Sequence, residues 1–221
     1  MAKQQRPPRL AIAKPPHITT VVRDPELVIR RHEQIFKAAI HVFISRGFHQ
    51  ATVREIAEQA GLSLGSLYSY IKSKEDILYL VFQKLTTVLR EDIRQAIVGI
   101  EDPAQQIAAA VRANLETIER YQDEILVLYQ ETKSLERESL YSVLSSEAAY
   151  VRFFEEILQA GYQRGIFKGD PRLSADVITY LCAIVALRRW NLRRRFSSKD
   201  VQKGLIAFIM RGLGMTETRG A

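Results

Sequence analysis

The run Gly61-Leu62-Ser63-Leu64-Gly65 is the pattern in this chain that comes nearest to a reactive centre, because it fits the G-x-S-x-G motif of serine hydrolases. In that motif the serine is the nucleophile, and it needs a preceding strand and later acid and histidine partners. Here a helical pattern precedes the serine, and His17, His32, His41 and His49 all lie upstream. Since no other nucleophile, metal-ligand cluster or phosphate-binding glycine loop is present, we expect no enzyme, no metal site and no cofactor.

The same run is better explained as a turn between two short helices. Thr52 and Glu55, three residues apart, form a capping-box pattern at the start of the first helix. Gly61 can take the left-handed conformation that ends a helix, and Ser63 is a good N-cap for the next one. Two short helices around a glycine turn can place the second helix in the major groove of DNA. The segment therefore predicts a helix-turn-helix.

The charge distribution also favours a nucleic-acid partner. The chain carries a net charge of +7 with a pI near 9.6. Residues 1–75 hold 12 Lys and Arg against 6 Asp and Glu, whereas residues 76–221 hold 20 against 19. The positive excess thus lies at the helix-turn-helix end. Because charge alone binds DNA without sequence preference, side chains that reach base edges must supply specificity.

Residues 52–78 and the helix before them resemble the DNA-binding segment of the TetR family of one-component transcriptional regulators. The matching residues are Ile35, Ala38, Ala39, Phe43, Gly47, Phe48, Thr52, Val53, Ile56, Ala57, Ala60, Gly61, Ser63, Gly65, Leu67, Tyr68, Tyr70, Lys72, Lys74, Glu75 and Leu78. The resemblance implies an all-α protein, with a three-helix DNA-binding domain before a helical bundle that binds an effector and dimerises. It also implies a cytoplasmic repressor that binds a palindromic operator as a homodimer.

The resemblance and helix geometry together assign the residues of the DNA interface. Arg54, near the start of the first short helix, is the candidate for a guanine contact. The residues at base-facing positions of the family are Leu64, Gly65 and Tyr68. The residues at its phosphate-contacting positions are Thr52, Ser66, Ser69, Tyr70 and Lys74. Two alternatives stay open, since Thr52 can serve only as a cap and Tyr68 can pack against the first short helix.

The rest of the chain predicts helices throughout, about nine in all. Asp24-Pro25, Asp102-Pro103 and Asp170-Pro171 each mark a helix start, with Asp as the N-cap and Pro in the first turn. The later helices are expected at about 74–97, 103–121, 123–135, 136–164, 171–195 and 198–210. The predicted division is a disordered basic arm at 1–22, a DNA-binding domain at 23–73, an effector and dimerisation domain at 74–214 and a flexible tail at 215–221. The longest largely apolar stretch, 177–187, is too short to span a bilayer.

The helix that begins at Asp170 carries two contrasting faces. One face has small residues that permit close approach of a second subunit, and with the final helix it predicts a four-helix dimer interface. The residues of this face are Thr179, Ala183, Ala186 and Trp190, and those of the final helix are Val201, Leu205, Phe208 and Ile209. Trp190 is either an interface anchor or a core residue.

The opposite face predicts an effector site, because Arg188 falls within an apolar stripe and a buried arginine needs a partner. That partner is either Glu131, another acid of a facing helix or an anionic ligand. The segments 128–135 and 187–190 are similar to those of TetR members that respond to fatty acids or acyl-CoA. The resemblance implies an acyl-CoA effector, with its acyl chain among leucines and its phosphates at arginines. The candidate ligand-binding residues are Glu131, Arg188, Arg189, Trp190, Arg193 and Arg194. One alternative is an uncharged hydrophobic effector, and another is a DNA-binding protein without an effector. In a third, the arginines are solvated side chains at a helix end, where they interact favourably with the helix dipole.

Overall fold

The computed structural model describes residues 18, 20–132, 135 and 137–215, with the side chain of residue 138 excepted. Within these residues the chain forms ten α-helices and no strand, so the predicted all-α class is confirmed. The helices are α1 (Pro25–Arg46), α2 (Val53–Gln59), α3 (Leu64–Tyr68), α4 (Lys74–Ile97), α5 (Pro103–Arg120), α6 (Gln122–Glu131), α7 (Arg137–Gln163), α8 (Pro171–Leu187), α9 (Arg189–Arg193) and α10 (Ser198–Gly212). Most of the predicted arm and tail lies outside the described residues.

Three Asp-Pro pairs begin helices as predicted. The side chains of Asp24, Asp102 and Asp170 each accept hydrogen bonds from backbone N–H groups in the first turn of α1, α5 and α8. In each case the proline occupies the first turn, where its missing N–H costs nothing. These caps fix where the long helices start and therefore how the loops between them run.

The number of helices differs from the prediction because of one residue. Arg188 has φ −117° and ψ 20°, outside the helical region, and it separates α8 from the short helix α9. The predicted continuous helix over 171–195 is therefore wrong. The break lets the side chains of Arg189 and Arg193 turn back toward the start of α6, where they contact Asp123 and Gln122.

The helices form two packed units that share α4. Helices α1, α2 and α3 enclose a first core of fully buried side chains, which includes Ile35, Ala39, Ile56, Leu67 and Ile71. Helix α4 begins against this core and then runs between α5 and α7. Helices α5, α7 and α8 enclose the second core, whose fully buried residues include Leu115, Phe154, Leu158 and Cys182. Helix α4 thus runs from the DNA-binding unit into the larger bundle, and α1 also packs against α6.

The two faces of α8 are reversed relative to the prediction. Thr179, Ala183 and Ala186, predicted to meet a second subunit, are buried inside the subunit. Their small side chains allow α8 to approach α5, α6 and α7 closely. The outward face instead carries large apolar residues, namely Leu173, Val177 and Tyr180, and Trp190 on α9 is also exposed.

Among the glycines of the described residues, Gly161 leaves the least room for a side chain. The chain reverses after α7, and the backbone N–H of Ile166 donates to the Gly161 carbonyl at 2.9 Å. This turn lays the buried Phe167 ring over Gly161, so that a Cβ at position 161 would lie 2.1 Å from the ring. Gly161→Ala should therefore lower the free energy of unfolding by about 1–3 kcal/mol, measured by chemical denaturation.

The matched background for this test is Phe167→Leu, whose smaller side chain leaves room for the added methyl group. The Ala substitution should cost clearly less in that background, which a double-mutant cycle detects as a coupling between the two positions. Equal costs in both backgrounds would show that the ring does not restrict Gly161.

Candidate DNA interface and effector cavity

The start of α2 is fixed by a reciprocal capping box, as predicted. The Thr52 hydroxyl oxygen accepts from the backbone N–H of Glu55 at 3.2 Å, and the Glu55 carboxylate accepts from the backbone N–H of Thr52 at 2.8 Å. The Thr52 hydroxyl also donates to this carboxylate at 2.9 Å. These hydrogen bonds lower the pKa of the Glu55 carboxyl. The Thr52 side chain is thus engaged in capping, although it remains at the surface.

The glycine turn brings α3 across α2. Gly61 has φ +64°, and the next backbone N–H, that of Leu62, donates to the Ala57 carbonyl at 2.9 Å. The Ser63 hydroxyl then accepts from the backbone N–H of Ser66 at 3.1 Å. Ser63 is therefore a helix cap, as predicted, and no strand of the kind that a hydrolase nucleophile requires precedes it.

The outer face of α2 and α3 is open to solvent. Tyr68 is 48% exposed, so it projects outward instead of packing against α2. Arg54 and Gly65 are also exposed, and Leu64, Ser66 and Ser69 are half-buried along the same surface. These residues form the exposed and half-buried part of α2 and α3, which the resemblance predicts to enter the major groove.

Tyr70 does not lie on that surface, contrary to the prediction. It is only 5% exposed, and its ring packs edge-to-face against the His32 ring, with 6.5 Å between the ring centres. Helix α3 ends at Tyr68, and the chain then turns inward, with the Tyr70 N–H donating to the Leu67 carbonyl at 2.9 Å. The helical face inferred from sequence does not continue past this turn.

Lys74 is also engaged within the protein instead of facing outward. Its Nζ donates to the carbonyl oxygens of Phe48, His49 and Ala51 at 2.7, 3.2 and 3.0 Å and lies 4.5 Å from the centre of the Phe48 ring. Because an ammonium has three N–H donors, all of them are used in this turn. The predicted phosphate contact is therefore replaced by an internal role that joins α4 to the end of α1.

The segment before α1 lies along the end of α3. The Thr20 hydroxyl and the Val21 N–H both donate to the Ser69 carbonyl, at 2.9 and 3.2 Å, while Ile18 and Val22 pack against the core. Sequence reasoning assigned these residues to a disordered arm. The β-branched run at 18–22 was the signal that distinguishes them from the Pro- and Lys-rich residues upstream.

An apolar cavity of about 100 Å³ lies inside the bundle of α4 to α8. Its apolar walls include Phe82, Leu85, Leu89, Ile118, Ile125, Leu128 and Ala183. Polar side chains also border it, namely Thr86, Tyr129, Thr132, Glu147, Tyr150 and Thr179. The cavity was not predicted, because its walls come from five helices that are distant in sequence.

The two tyrosines at the cavity are held in the protonated form. Burial raises the pKa of Tyr150 well above its usual value, and its hydroxyl donates to Asn114 Oδ1 at 2.8 Å. Burial and the nearby Glu147 carboxylate raise the pKa of Tyr129 to about 12. Both phenols remain neutral near pH 7 and keep their hydroxyl protons.

The predicted effector residues do not line this cavity. Arg188 is exposed, not buried in an apolar stripe, since the helix breaks there. Arg189 pairs with Asp123 and lies 5.1 Å from the centre of the Trp190 ring, and Arg193 donates to Gln122 Oε1 at 3.1 Å. Arg194 is exposed at the end of the same short helix. These contacts tie α9 to the start of α6, and Arg189 and Arg193 border a separate space of about 50 Å³ beside α10.

Glu131, the remaining predicted effector residue, lies at the junction of the two units. Its Oε2 is 3.5 Å from His49 Nε2, in the turn that follows α1. Glu131 therefore connects the end of α6 to the DNA-binding unit. It does not pair with Arg188.

Two further classes of site are not found in the described part of the chain. No group of three His, Cys, Asp or Glu side chains there is arranged to hold a metal ion. None of the described helices combines the length and the apolar character that crossing a membrane requires.

Solved structures share this fold. FadR from Bacillus subtilis in complex with stearoyl-CoA superposes with a TM-score of 0.71 at 23% identity, over 82% of this chain and 98% of that one. AibR in complex with isovaleryl coenzyme A and operator DNA gives a TM-score of 0.69 at 21% identity, over 80% and 97% of the two chains. At these identities the similarity establishes the fold only.

Sequence comparison identifies the family. The transcriptional regulator HbdR of Aromatoleum sp. (strain CIB) is 28% identical over 197 residues, which cover 87% of this chain and 85% of HbdR. Residues 35–80 match the profile of bacterial regulatory proteins of the tetR family, and residues 100–213 match the tetracyclin repressor-like C-terminal domain. The second match spans more than half of the 221 residues and the first covers the helix-turn-helix, so the protein belongs to the TetR family of DNA-binding transcriptional regulators.

Proposed function

We propose that this protein is a dimeric repressor that binds a palindromic operator and is released from it by an acyl-CoA. The observation that carries the proposal is the apolar cavity enclosed by α4 to α8 in a chain whose other unit is a helix-turn-helix. Family members of the same fold have been crystallised with stearoyl-CoA and with isovaleryl coenzyme A. These complexes support the class of effector proposed here.

The exposed surface of α2 and α3 supplies the operator contacts in this proposal. Arg54 reads a base edge, because a guanidinium can donate two hydrogen bonds to guanine. Leu64, Gly65 and Tyr68 approach bases by apolar or backbone contact, while Ser66 and Ser69 hold phosphates. Since a single base-contacting arginine gives limited discrimination, the spacing of two half-sites contributes the rest.

The dimer in this proposal pairs through α8 and α10. The outward face of α8 exposes Leu173 at 65%, Val177 at 48% and Tyr180 at 63%, and α10 exposes Phe208 at 57%. Contiguous exposed apolar residues of this size mark interaction surfaces. Two helices from each subunit would bury them in a four-helix bundle. A two-fold dimer then presents its α3 helices to half-sites about one DNA turn, roughly 34–36 Å, apart.

The effector acts through α6. Leu128, Tyr129 and Thr132 in its last turn border the cavity, and Glu131 in the same turn contacts His49. The cavity of about 100 Å³ is smaller than the roughly 300–1,000 Å³ of ordinary ligand pockets, so an acyl chain must displace its walls. That displacement changes the position of the DNA-binding unit, and the effector favours the state that fits the operator less well.

One observation favours an alternative effector. Among the described residues no Lys, Arg or His lines the cavity itself, which suits an uncharged hydrophobic ligand. An acyl-CoA fits only if its anionic part lies outside the cavity, where cations are available.

Arg54→Ala should relax base preference at one position of each half-site. A good bidentate arginine–guanine pair discriminates by about 1–3 kcal/mol, so binding to the other bases there should become nearly equal. Operators selected from random DNA and quantified by fluorescence anisotropy measure the change. Ser66→Ala is the matched control, because it should weaken binding to every sequence alike; an unchanged base preference in the Arg54 variant would contradict its assigned role.

Phe208→Glu should convert the dimer into monomers and abolish tight binding to a palindromic operator. The added carboxylate would be buried without a partner in the proposed interface, which is strongly unfavourable. Analytical ultracentrifugation gives the mass, and anisotropy gives the affinity. Val98→Glu changes an equally apolar residue that is 75% exposed in the α4–α5 loop and should have no effect. A dimeric Phe208 variant would rule out this interface.

Acyl-CoA should release the wild-type protein from its operator, and the response should depend on the cavity. Anisotropy with butyryl-, octanoyl- and palmitoyl-CoA tests the class and the preferred chain length. Ala183→Leu adds three carbon atoms to the cavity wall and should keep operator binding while raising the acyl-CoA concentration needed for release by about tenfold or more. Ala96→Leu, on α4 away from the cavity, is the control. Operator binding that no acyl-CoA alters would contradict the proposal.

A further inference from the structure

An open groove of about 550 Å³ lies between α1, α4 and α7, beside the apolar cavity. The two spaces share Thr86 of α4 in their walls. The α1 side of the groove belongs to the DNA-binding unit, and the α4 and α7 sides belong to the bundle. A ligand that leaves the cavity past Thr86 therefore enters a space bordered by both units.

The walls of this groove are cationic. They include Lys84, Arg90 and Arg152, and the carboxylate among them, that of Glu33, lies 3.8 Å from Lys84 Nζ. Arg90 Nε is buried and has no hydrogen-bond partner. Within the described residues, neither Arg90 nor Arg152 forms an ion pair with a carboxylate. A buried guanidinium donor without a partner is unfavourable by itself, so an anion here would gain binding energy from it.

The groove on the other side of α7 has the opposite character. It occupies about 710 Å³ between α6, α7 and α8, and its walls carry the carboxylates of Glu147, Glu155 and Asp176 beside Arg152. Partial desolvation and the Asp176 charge raise the pKa of Glu147, so these acids already repel one another. The cavity also borders this groove, through Tyr129, Glu147 and Thr179. Arg152 borders both grooves, but this one has three carboxylates and the groove between α1, α4 and α7 has only that of Glu33, so an anionic group that leaves the cavity is favoured there.

We infer that the groove between α1, α4 and α7 binds the phosphate groups of the effector whose acyl chain occupies the cavity. This inference rests on the proposed function and places the anion at residues that the sequence did not indicate. Arg90 and Arg152 donate to phosphate oxygens, for which the planar guanidinium is well suited. Ser145 and Ser146 border the same groove and add hydroxyl donors, whereas the Thr87 hydroxyl already donates to the Gln83 carbonyl at 2.8 Å.

The same position couples phosphate binding to the DNA-binding unit. His32 borders the groove, and its Nε2 lies 3.1 Å from the carbonyl oxygen of Tyr70, just beyond α3. A phosphate held by Arg90 and Arg152 contacts the α1 wall at His32 while it is fixed to α4 and α7. The bound anion thus acts on the end of the recognition helix through one intervening side chain.

The test compares ligands with and without phosphates. The variants Arg90→Gln, Arg152→Gln and their combination are titrated by calorimetry with octanoyl-CoA and with S-octanoyl-pantetheine, which lacks the phosphates. Each single substitution should weaken octanoyl-CoA binding by about tenfold and leave octanoyl-pantetheine binding unchanged, because one charge-assisted contact is lost. The salt dependence of octanoyl-CoA binding should fall in the double variant.

The matched control is Arg193→Gln with Arg194→Gln, which removes two arginines of the surface cluster near Trp190 and should leave both affinities unchanged. The inference would be overturned if the groove variants kept the wild-type affinity for octanoyl-CoA. It would also be overturned if their affinities for octanoyl-CoA and octanoyl-pantetheine fell by the same factor. If the wild-type protein binds no acyl-CoA, the proposed function fails. Inorganic pyrophosphate then tests the anion site in the groove separately. Pyrophosphate binding that is abolished by Arg90→Gln and Arg152→Gln would support the site, and the absence of pyrophosphate binding would refute it.

Discussion

The ammonium group of Lys74 is the contact on which the relation between the two units depends. It stands at the first residue of α4 and donates to three carbonyl oxygens of the turn that follows α1. The face of Phe48 covers it at 4.5 Å. Since the donors are all used, the end of α1 and the start of α4 form one rigid corner. In the proposed mechanism, this corner would move with α4 if the effector displaced the cavity walls, which include residues of α4.

His49 is the point at which this corner meets α6. Its carbonyl oxygen accepts from Lys74, and its imidazole lies 3.5 Å from the Glu131 carboxylate. The His49 side chain is 77% exposed, so its contact with Glu131 contributes little to stability. The Lys74 contacts hold the corner together without it. In the proposed mechanism, the contact between His49 and Glu131 is the one that the effector would alter.

Sequence patterns correctly predicted the helix caps and turns, whose formation depends on residues that are close in sequence. The three Asp-Pro helix starts, the Thr52–Glu55 box and the Gly61 turn are local, and the structure contains each of them. Helical periodicity also grouped Thr179 with Ala183 correctly on one face of α8. It did not reveal whether the rest of the chain or a second subunit covers that face, since this is decided by tertiary packing. For the same reason the sequence did not predict that Tyr70 is buried, because the chain turns inward after the end of α3.

The arginines considered for effector binding show most clearly that sequence patterns do not reveal which residues tertiary packing brings together. A run such as Arg193 and Arg194 attracts notice because the charges are consecutive, yet consecutive charges on a helix end are usually solvated. Arg90 and Arg152 stand alone in sequence, 62 positions apart on α4 and α7, and meet only when those helices pack. An anion held by Arg90 and Arg152 would join α4 to α7, and only the α1 wall of the groove would bring it beside the DNA-binding unit. The proposed anion site therefore depends on cations that folding brings together, which no run of consecutive charges in the sequence indicates.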